Sequence, residues 1–183
     1  MGEALPKRAS MNLDITEIAE ARPRWYAAYI MPRHEKAVAD QLLRREVESY
    51  LPLYRTLHRW NGRRAEVELP LFPGYVFVKT PIKDRVRVLE QPGVIRLVGI
   101  NGRATPLPDD EIEKLRTSLA SCKAEPYPFL TAGKQVRIRS GPLSGLQGKI
   151  VRRKGKMRLL VSINLIRSAI LLEVDVADTQ LAN

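Results

Sequence analysis

Apolar residues run without interruption through Trp25-Tyr26-Ala27-Ala28-Tyr29-Ile30-Met31 and stop at Pro32. A strand with one wet face would alternate, so this run predicts a central strand covered on both sides, ended where the residue before proline loses its freedom. The period then lengthens. The pairs Val38/Leu42, Ala39/Leu43 and Leu43/Val47 fall four apart and predict a helix from about His34 to Val47. Glu35, Lys36, Asp40 and Arg44 are expected on its wet face. A strand over about 50–56 follows, then a hairpin whose tip is Trp60-Asn61-Gly62-Arg63, because Asn-Gly supplies the positive φ angles of a tight turn. Its return limb, Ala65 to Leu69, alternates and leads through Pro70 into Leu71-Phe72-Pro73-Gly74-Tyr75-Val76-Phe77-Val78.

A second helix fits Lys83 to Glu90 before Pro92-Gly93, a strand fits Val94 to Val98, and Asn101-Gly102 reads as another turn. Pro108-Asp109-Asp110 starts a helix whose acidic first turn suits its dipole, with Ile112, Leu115 and Leu119 as the buried stripe. This order predicts an α+β domain, antiparallel in its sheet with flanking helices, over residues 24–120, preceded by a flexible extension at 1–23. Pro126 and Pro128 place a linker at 121–130. From 131 to 183 the pattern becomes wholly strand-like, in Val136-Arg137-Ile138, Lys149-Ile150-Val151, Leu159 to Ser162 and Ile170 to Val174, which predicts a small β-barrel.

Charge sharpens this division. The 183-residue chain carries a formal net charge of +11, and the stretch from Leu130 to Leu160 holds nine Lys or Arg with no Asp or Glu. Elsewhere 22 basic residues face 20 acidic ones, so the barrel region supplies nearly the whole excess. Alternation of basic with apolar positions brings the charges out on one side, as a solvated face or as a surface for an anionic partner. No apolar run of membrane-spanning length and no apolar signal core occur, so a cytosolic protein that does not engage a membrane is expected. Cys122 is the single cysteine and His34 and His58 the only histidines, which argues against a disulfide, a metal site or any other cofactor.

Phe72 and Tyr75 flank a Pro-Gly pair that must bend the chain before the next strand. Aromatics beside a turn can be ordinary core, or they can form a rigid display of the kind found at interface hot spots. Trp25-Tyr26 opening the first strand, the helix after it and the Leu71-to-Val78 run together resemble the N-terminal (NGN) domain of NusG-family elongation factors. Gly133 to Ile138 followed by Gly141-Pro142-Leu143-Ser144-Gly145-Leu146-Gln147-Gly148-Lys149-Ile150 is similar to the SH3-like KOW domain of the same family. The resemblance spans about residues 24–180 and follows the family's order.

That resemblance implies a monomeric, non-enzymatic regulator of transcription elongation or antitermination that grips the clamp helices of RNA polymerase's largest subunit. Phe72 and Tyr75 are the leading contacts it implies, with Leu71, Trp25 and Tyr26 as further ones. Arg33, His34 and Lys36 would face upstream DNA, and Arg59, Arg63 and Arg64 on the hairpin would reach the non-template strand. Asn164, Leu165, Ile166 and Arg167 would form the KOW loop that recruits a ribosomal protein or RNA. This loop lacks the Phe-Gly-Arg-Ala-Thr character of the general factor, which speaks against Rho and for a specialised paralogue of the UpxY or RfaH type. Valine, isoleucine and turn glycines in residues 133–176 disfavour a helical alternative fold of the barrel.

Enzymatic readings fail on spacing. A phosphate loop ending at Gly148-Lys149 would need glycine at Leu143 and Ser or Thr at Ile150. Asp109-Asp110-Glu111 is accounted for by its helix start. The rival from another class is a ribosome- or RNA-binding KOW protein, whose phosphate contacts the basic stretch would suit.

Overall fold

The uninterrupted run at Trp25 forms the middle of a sheet. The computed structural model describes residues 18, 20–60, 63–127, 135–141, 143–153, 156–173 and 179–181. In it β1 (Arg24–Ile30) pairs antiparallel with β5 (Tyr75–Thr80) and β6 (Val94–Leu97), and β2 (Glu48–Tyr50) adds outside β5, giving the order β2-β5-β1-β6. Among the described residues, three α-helices come after β1 in chain order, α1 (Glu35–Arg44), α2 (Arg85–Leu89) and α3 (Asp109–Ser121). Tyr26, Ala28 and Ile30 with Val76 and Val78 pack against Val38 and Leu42 of α1, while Trp25, Ala27 and Phe77 pack with Ile112 and Leu115 of α3. Both faces of β1 are thus covered, which is why its sequence does not alternate.

Helix α1 ends at Arg44 rather than Val47, because Glu46 turns into the left-handed region at φ 58° and lets Val47 fold back into the core. Leu43, expected on the apolar face, is 73% exposed, whereas Glu35, expected in water, is 6% exposed. The second helix is a 3-10 turn at Ile82–Asp84 leading into the short α2. Asn101 and Gly102, at φ 51° and 76°, close the small hairpin of β7 (Gly99–Ile100) and β8 (Arg103–Ala104) that their turn chemistry predicts.

The single strand expected over 50–56 is broken at Leu51-Pro52, since proline cannot donate to a ladder. Beyond the break β3 (Leu53–Trp60) leaves the main sheet and pairs only with β4 (Arg63–Pro70), in register from Leu53↔Pro70 to Trp60↔Arg63. The result is a two-stranded ribbon, and the Asn61-Gly62 turn expected at its tip lies outside the described residues.

Of the linker expected at 121–130, residues 121–127 are built into the two sheets' surroundings rather than forming a spacer, and 128–130 lie outside the described residues. Ser121 ends α3, and Ala124–Tyr127 forms β9, which pairs with β13 (Ser168–Glu173). The second sheet runs β14 (Thr179–Leu181), β10 (Gln135–Ile138), β11 (Gln147–Arg153), β12 (Lys156–Ile163), β13, β9. Its main core holds Val136, Ile138, Leu159, Val161, Ile163, Ile170 and Leu172. Leu160, Ala169 and Leu171 are buried on the other face with Tyr127 and Val151 beside them, which explains the continuous apolar runs in β12 and β13. A side chain at Gly148 would run into the Leu160 carbonyl oxygen, so the tight approach of β11 to β12 requires glycine there. Arg158 does not belong to the barrel's basic face: its guanidinium lies 2.9 Å from Glu173 and 3.7 Å from Glu125, tying β9 to the sheet. The molecule is therefore α+β with antiparallel sheets, and the expected extension at 1–23 falls almost wholly outside the described residues.

Candidate functional site

One face of the main sheet is covered unevenly. Cross-strand register places Trp25 beside Lys79, Ala27 beside Phe77 and Tyr29 beside Tyr75 in successive rows. Helix α3 roofs the first two rows. Arg116 stacks over both Trp25, at 5.2 Å, and Tyr50, at 4.9 Å, and Lys79 approaches the Trp25 ring at 5.6 Å. Arg116 also lies 3.6 Å from Glu48, so the same side chain binds helix to sheet edge. Burial pushes the Tyr50 hydroxyl up to about 12, against the opposing pull of Arg116.

The third row is left open. Tyr75, Tyr29 and Arg96 come from adjacent strands β5, β1 and β6 and stand side by side. The tyrosine rings lie 5.5 Å apart, and the Arg96 guanidinium sits 5.5 Å over Tyr29. Both tyrosines are half-buried and Arg96 is exposed, giving an aromatic surface with a cation at one end. Partial burial, and then Tyr29, raises the Tyr75 hydroxyl above its ordinary value, with Arg96 pulling the other way.

The bend before β5 sets this row rigidly. Gly74 takes φ 82°, a left-handed conformation that suits glycine, and Tyr75 N–H donates to the Phe72 carbonyl at 3.1 Å. The Gly74 N–H donates to the buried Glu35 carboxylate at 2.8 Å, while its carbonyl accepts from Ile30 N–H at 2.8 Å. The turn is thereby stapled to the end of β1 and the start of α1.

Of the five residues expected to contact polymerase, Tyr75 alone is not buried in this structure. Phe72 and Leu71 are 1% exposed and Trp25 is fully buried. Phe72 points back from the turn to pack edge-on against Phe77, with ring centroids 5.5 Å apart. Tyr26, 4% exposed, faces α1 on the opposite side of the sheet. Tyr29 and Arg96 went unnoticed in the sequence. The signal for Tyr29 was available, because it shares the parity of Trp25 and Ala27 and lies farthest from the helix that covers them.

Arg33, His34 and Lys36 are exposed where β1 gives way to α1, at the same end of the sheet as the open row. Arg33 is held at φ 67°, and His34 Nδ1 lies 3.1 Å from the Pro32 carbonyl. Arg63 and Arg64 are exposed far out on the ribbon, with Arg59 across from Arg64 in the register. These two basic groups are separate. In the barrel, Asn164–Ile166 forms a 3-10 turn and Arg167 follows at φ 49°. Asn164 and Arg167 are exposed, Leu165 half-buried and Ile166 buried, so Ile166 anchors the loop instead of presenting it. Asn164 also lines a cleft of about 550 Å³ between the barrel and α3, together with Glu111, Lys114, Gln135 and Lys149. Burial, and then Asp110, raises the Glu111 carboxyl above its usual range.

Residues 23–116 match the family model described as transcription termination factor nusG. Among characterised proteins, the chain is 31% identical over 172 residues to the transcription termination/antitermination protein NusG of Deinococcus radiodurans, covering 76% of this chain and 90% of that one. It is 32% identical over 143 residues to the protein of the same name from Lactococcus lactis, covering 75% of each. Among solved structures, one described as domain interaction in Thermotoga maritima NusG superposes with a TM-score of 0.56 at 21% identity, covering 90% of this chain and 99% of that one.

Proposed function

The chain belongs to the NusG family of transcription termination/antitermination factors, and from that premise we propose that it holds RNA polymerase through the open row Tyr75-Tyr29-Arg96. The observation that carries this reading is the uneven roofing of one sheet face. Helix α3 covers Trp25 and Phe77, yet the adjoining tyrosines remain half-exposed on a backbone fixed by Glu35 and Gly74. Rigid, partly buried aromatics beside an arginine lose little entropy on binding and form the usual hot spots of protein interfaces. The acceptor is a helical, apolar surface such as the clamp helices of the largest subunit. Met31, 49% exposed at the end of β1, extends the surface.

Residues 24–120 act as the polymerase-binding unit and 131–183 as the unit that recruits a further partner, with Asn164, Leu165 and Arg167 as its contacts. Arg33, His34 and Lys36 lie at the sheet end beside the open row, which supports a role for them in contacting upstream DNA. A photo-crosslinking amino acid at position 75 should label the polymerase's largest subunit in cells, while the same group at the exposed position 43 on α1 should not. Equal labelling from both positions, or none from 75, would refute the assignment.

A further inference from the structure

Beyond its tyrosines, the open row is set apart by its charge. Residues 21–34, 69–83 and 91–108, which hold β1, β5 and β6 with their flanks, contain no Asp or Glu. Glu35, the carboxylate that follows β1, is buried and already accepts from the Gly74 N–H. Where cations occur beside the covered rows, neighbouring elements supply their counter-charges: Lys79 of β5 lies 3.6 Å from Glu48 of β2, and Arg24 of β1 lies 3.8 Å from Asp109 of α3. Arg96 has no such supply. Among the described residues it forms no ion pair, and its guanidinium rests over the Tyr29 ring at 5.5 Å. Cross-strand register puts it directly beside Tyr29, on the edge strand β6. A surface laid over both tyrosines therefore reaches this cation as well.

Taking a guanidinium out of water without an opposite charge is strongly unfavourable, so a wholly apolar acceptor would lose at Arg96 much of what it gained at the rings. Resting on the polymerase-bound reading of this row, we propose that Arg96 sets its specificity: the acceptor presents an Asp or Glu carboxylate to the guanidinium, at the border of its apolar patch. Arginine suits that task. Its planar fork can hold both oxygens of a carboxylate, and cation–π contact with Tyr29 restrains the side chain beforehand, so less entropy is lost on pairing. Phosphate fits this position less well. Nucleic acid is held by sets of cations that follow its backbone, whereas Arg96 stands singly at the end of two tyrosines. Arg33, His34 and Lys36 lie around the start of α1, which packs on the opposite face of the sheet.

Equilibrium binding of the full chain to core RNA polymerase free of nucleic acid, measured over a range of salt, tests this. Arg96→Gln should bind about tenfold more weakly, and Arg96→Glu, which sets like charges face to face, about a hundredfold. Arg96→Lys keeps the charge without the fork and should stay within about fivefold of wild type. Loss of the charge should also flatten the salt dependence of the association rate. Arg96 is exposed, so all three variants should melt with the wild type. A carbodiimide condenses an amine with a touching carboxylate into an amide, and should therefore couple Arg96→Lys, through position 96, to an Asp or Glu of the largest subunit. Wild-type affinity and salt response in Arg96→Gln and Arg96→Glu would overturn the assignment. So would a binding-competent Arg96→Lys that gives no such product, or an Arg96 effect that appears only once DNA is added. Each of these leaves the polymerase reading standing if Tyr29→Ser with Tyr75→Ser still weakens binding; unaltered binding by that pair would remove both.

Discussion

Two halves of one sheet face carry the same kind of residue to opposite ends. Under α3, Trp25, Phe77 and Tyr50 are closed off by Ile112, Leu115 and the Arg116 guanidinium. One row farther on, Tyr29 and Tyr75 stand side by side in the same register, with Arg96 over Tyr29 at the surface. Aromatic content did not decide which half is core. The reach of one helix did, and the turn at Gly74 decided that Phe72 joins the covered half while Tyr75 joins the open one.

The comparison breaks most visibly in stability. Phe77→Ala should cost about 3–5 kcal/mol, as cavity-forming truncations in a close-packed core do, whereas Tyr75→Ala should cost about 1 kcal/mol; chemical denaturation of the two variants checks the contrast. Glu35→Ala removes the acceptor from the Gly74 N–H and should cost about 1.5–3 kcal/mol. Glu35→Gln, which keeps a carbonyl oxygen in place, should recover much of that loss, and hydrogen exchange at Gly74 reports the bond directly. The smallest effect is spectroscopic. In an alkaline titration Tyr50 should be among the last tyrosines to ionise, near pH 12, and Tyr50→Phe should remove that step. Because its folded value lies above its ordinary one, its stabilising contribution is complete below about pH 10 and is lost as pH rises towards 12.

Much of this arrangement was legible in the residues. The run from Trp25 to Met31 announced a strand buried on both faces, and Asn101-Gly102 announced its hairpin. The glycines around Lys149 signalled the barrel, with Gly148 required by the closeness of β11 to β12. What escaped depended on contacts distant in sequence. Nothing local distinguishes Leu43 from Leu42 as the exposed member, or reveals that Glu35 turns inward to bind Gly74, 39 residues away. Pro126 reads as a linker residue, yet it sits opposite Ile170 in an edge strand, where its missing donor costs nothing. Phe72 and Tyr75 were indistinguishable as aromatics beside a turn. Their separation needed the backbone path through Gly74, and Tyr29 needed the strand register.

The central claim is that the open row, and not the covered one, meets polymerase. The most direct measurement is the equilibrium affinity of the purified chain for RNA polymerase, with and without Tyr29→Ser and Tyr75→Ser introduced together, in protein whose thermal midpoint and circular dichroism show it folded. Truncated hot-spot aromatics cost about 2 kcal/mol each, so the account predicts that the double variant binds at least 30-fold more weakly, roughly the factor that 2 kcal/mol represents. Wild-type affinity in the folded double variant would contradict it.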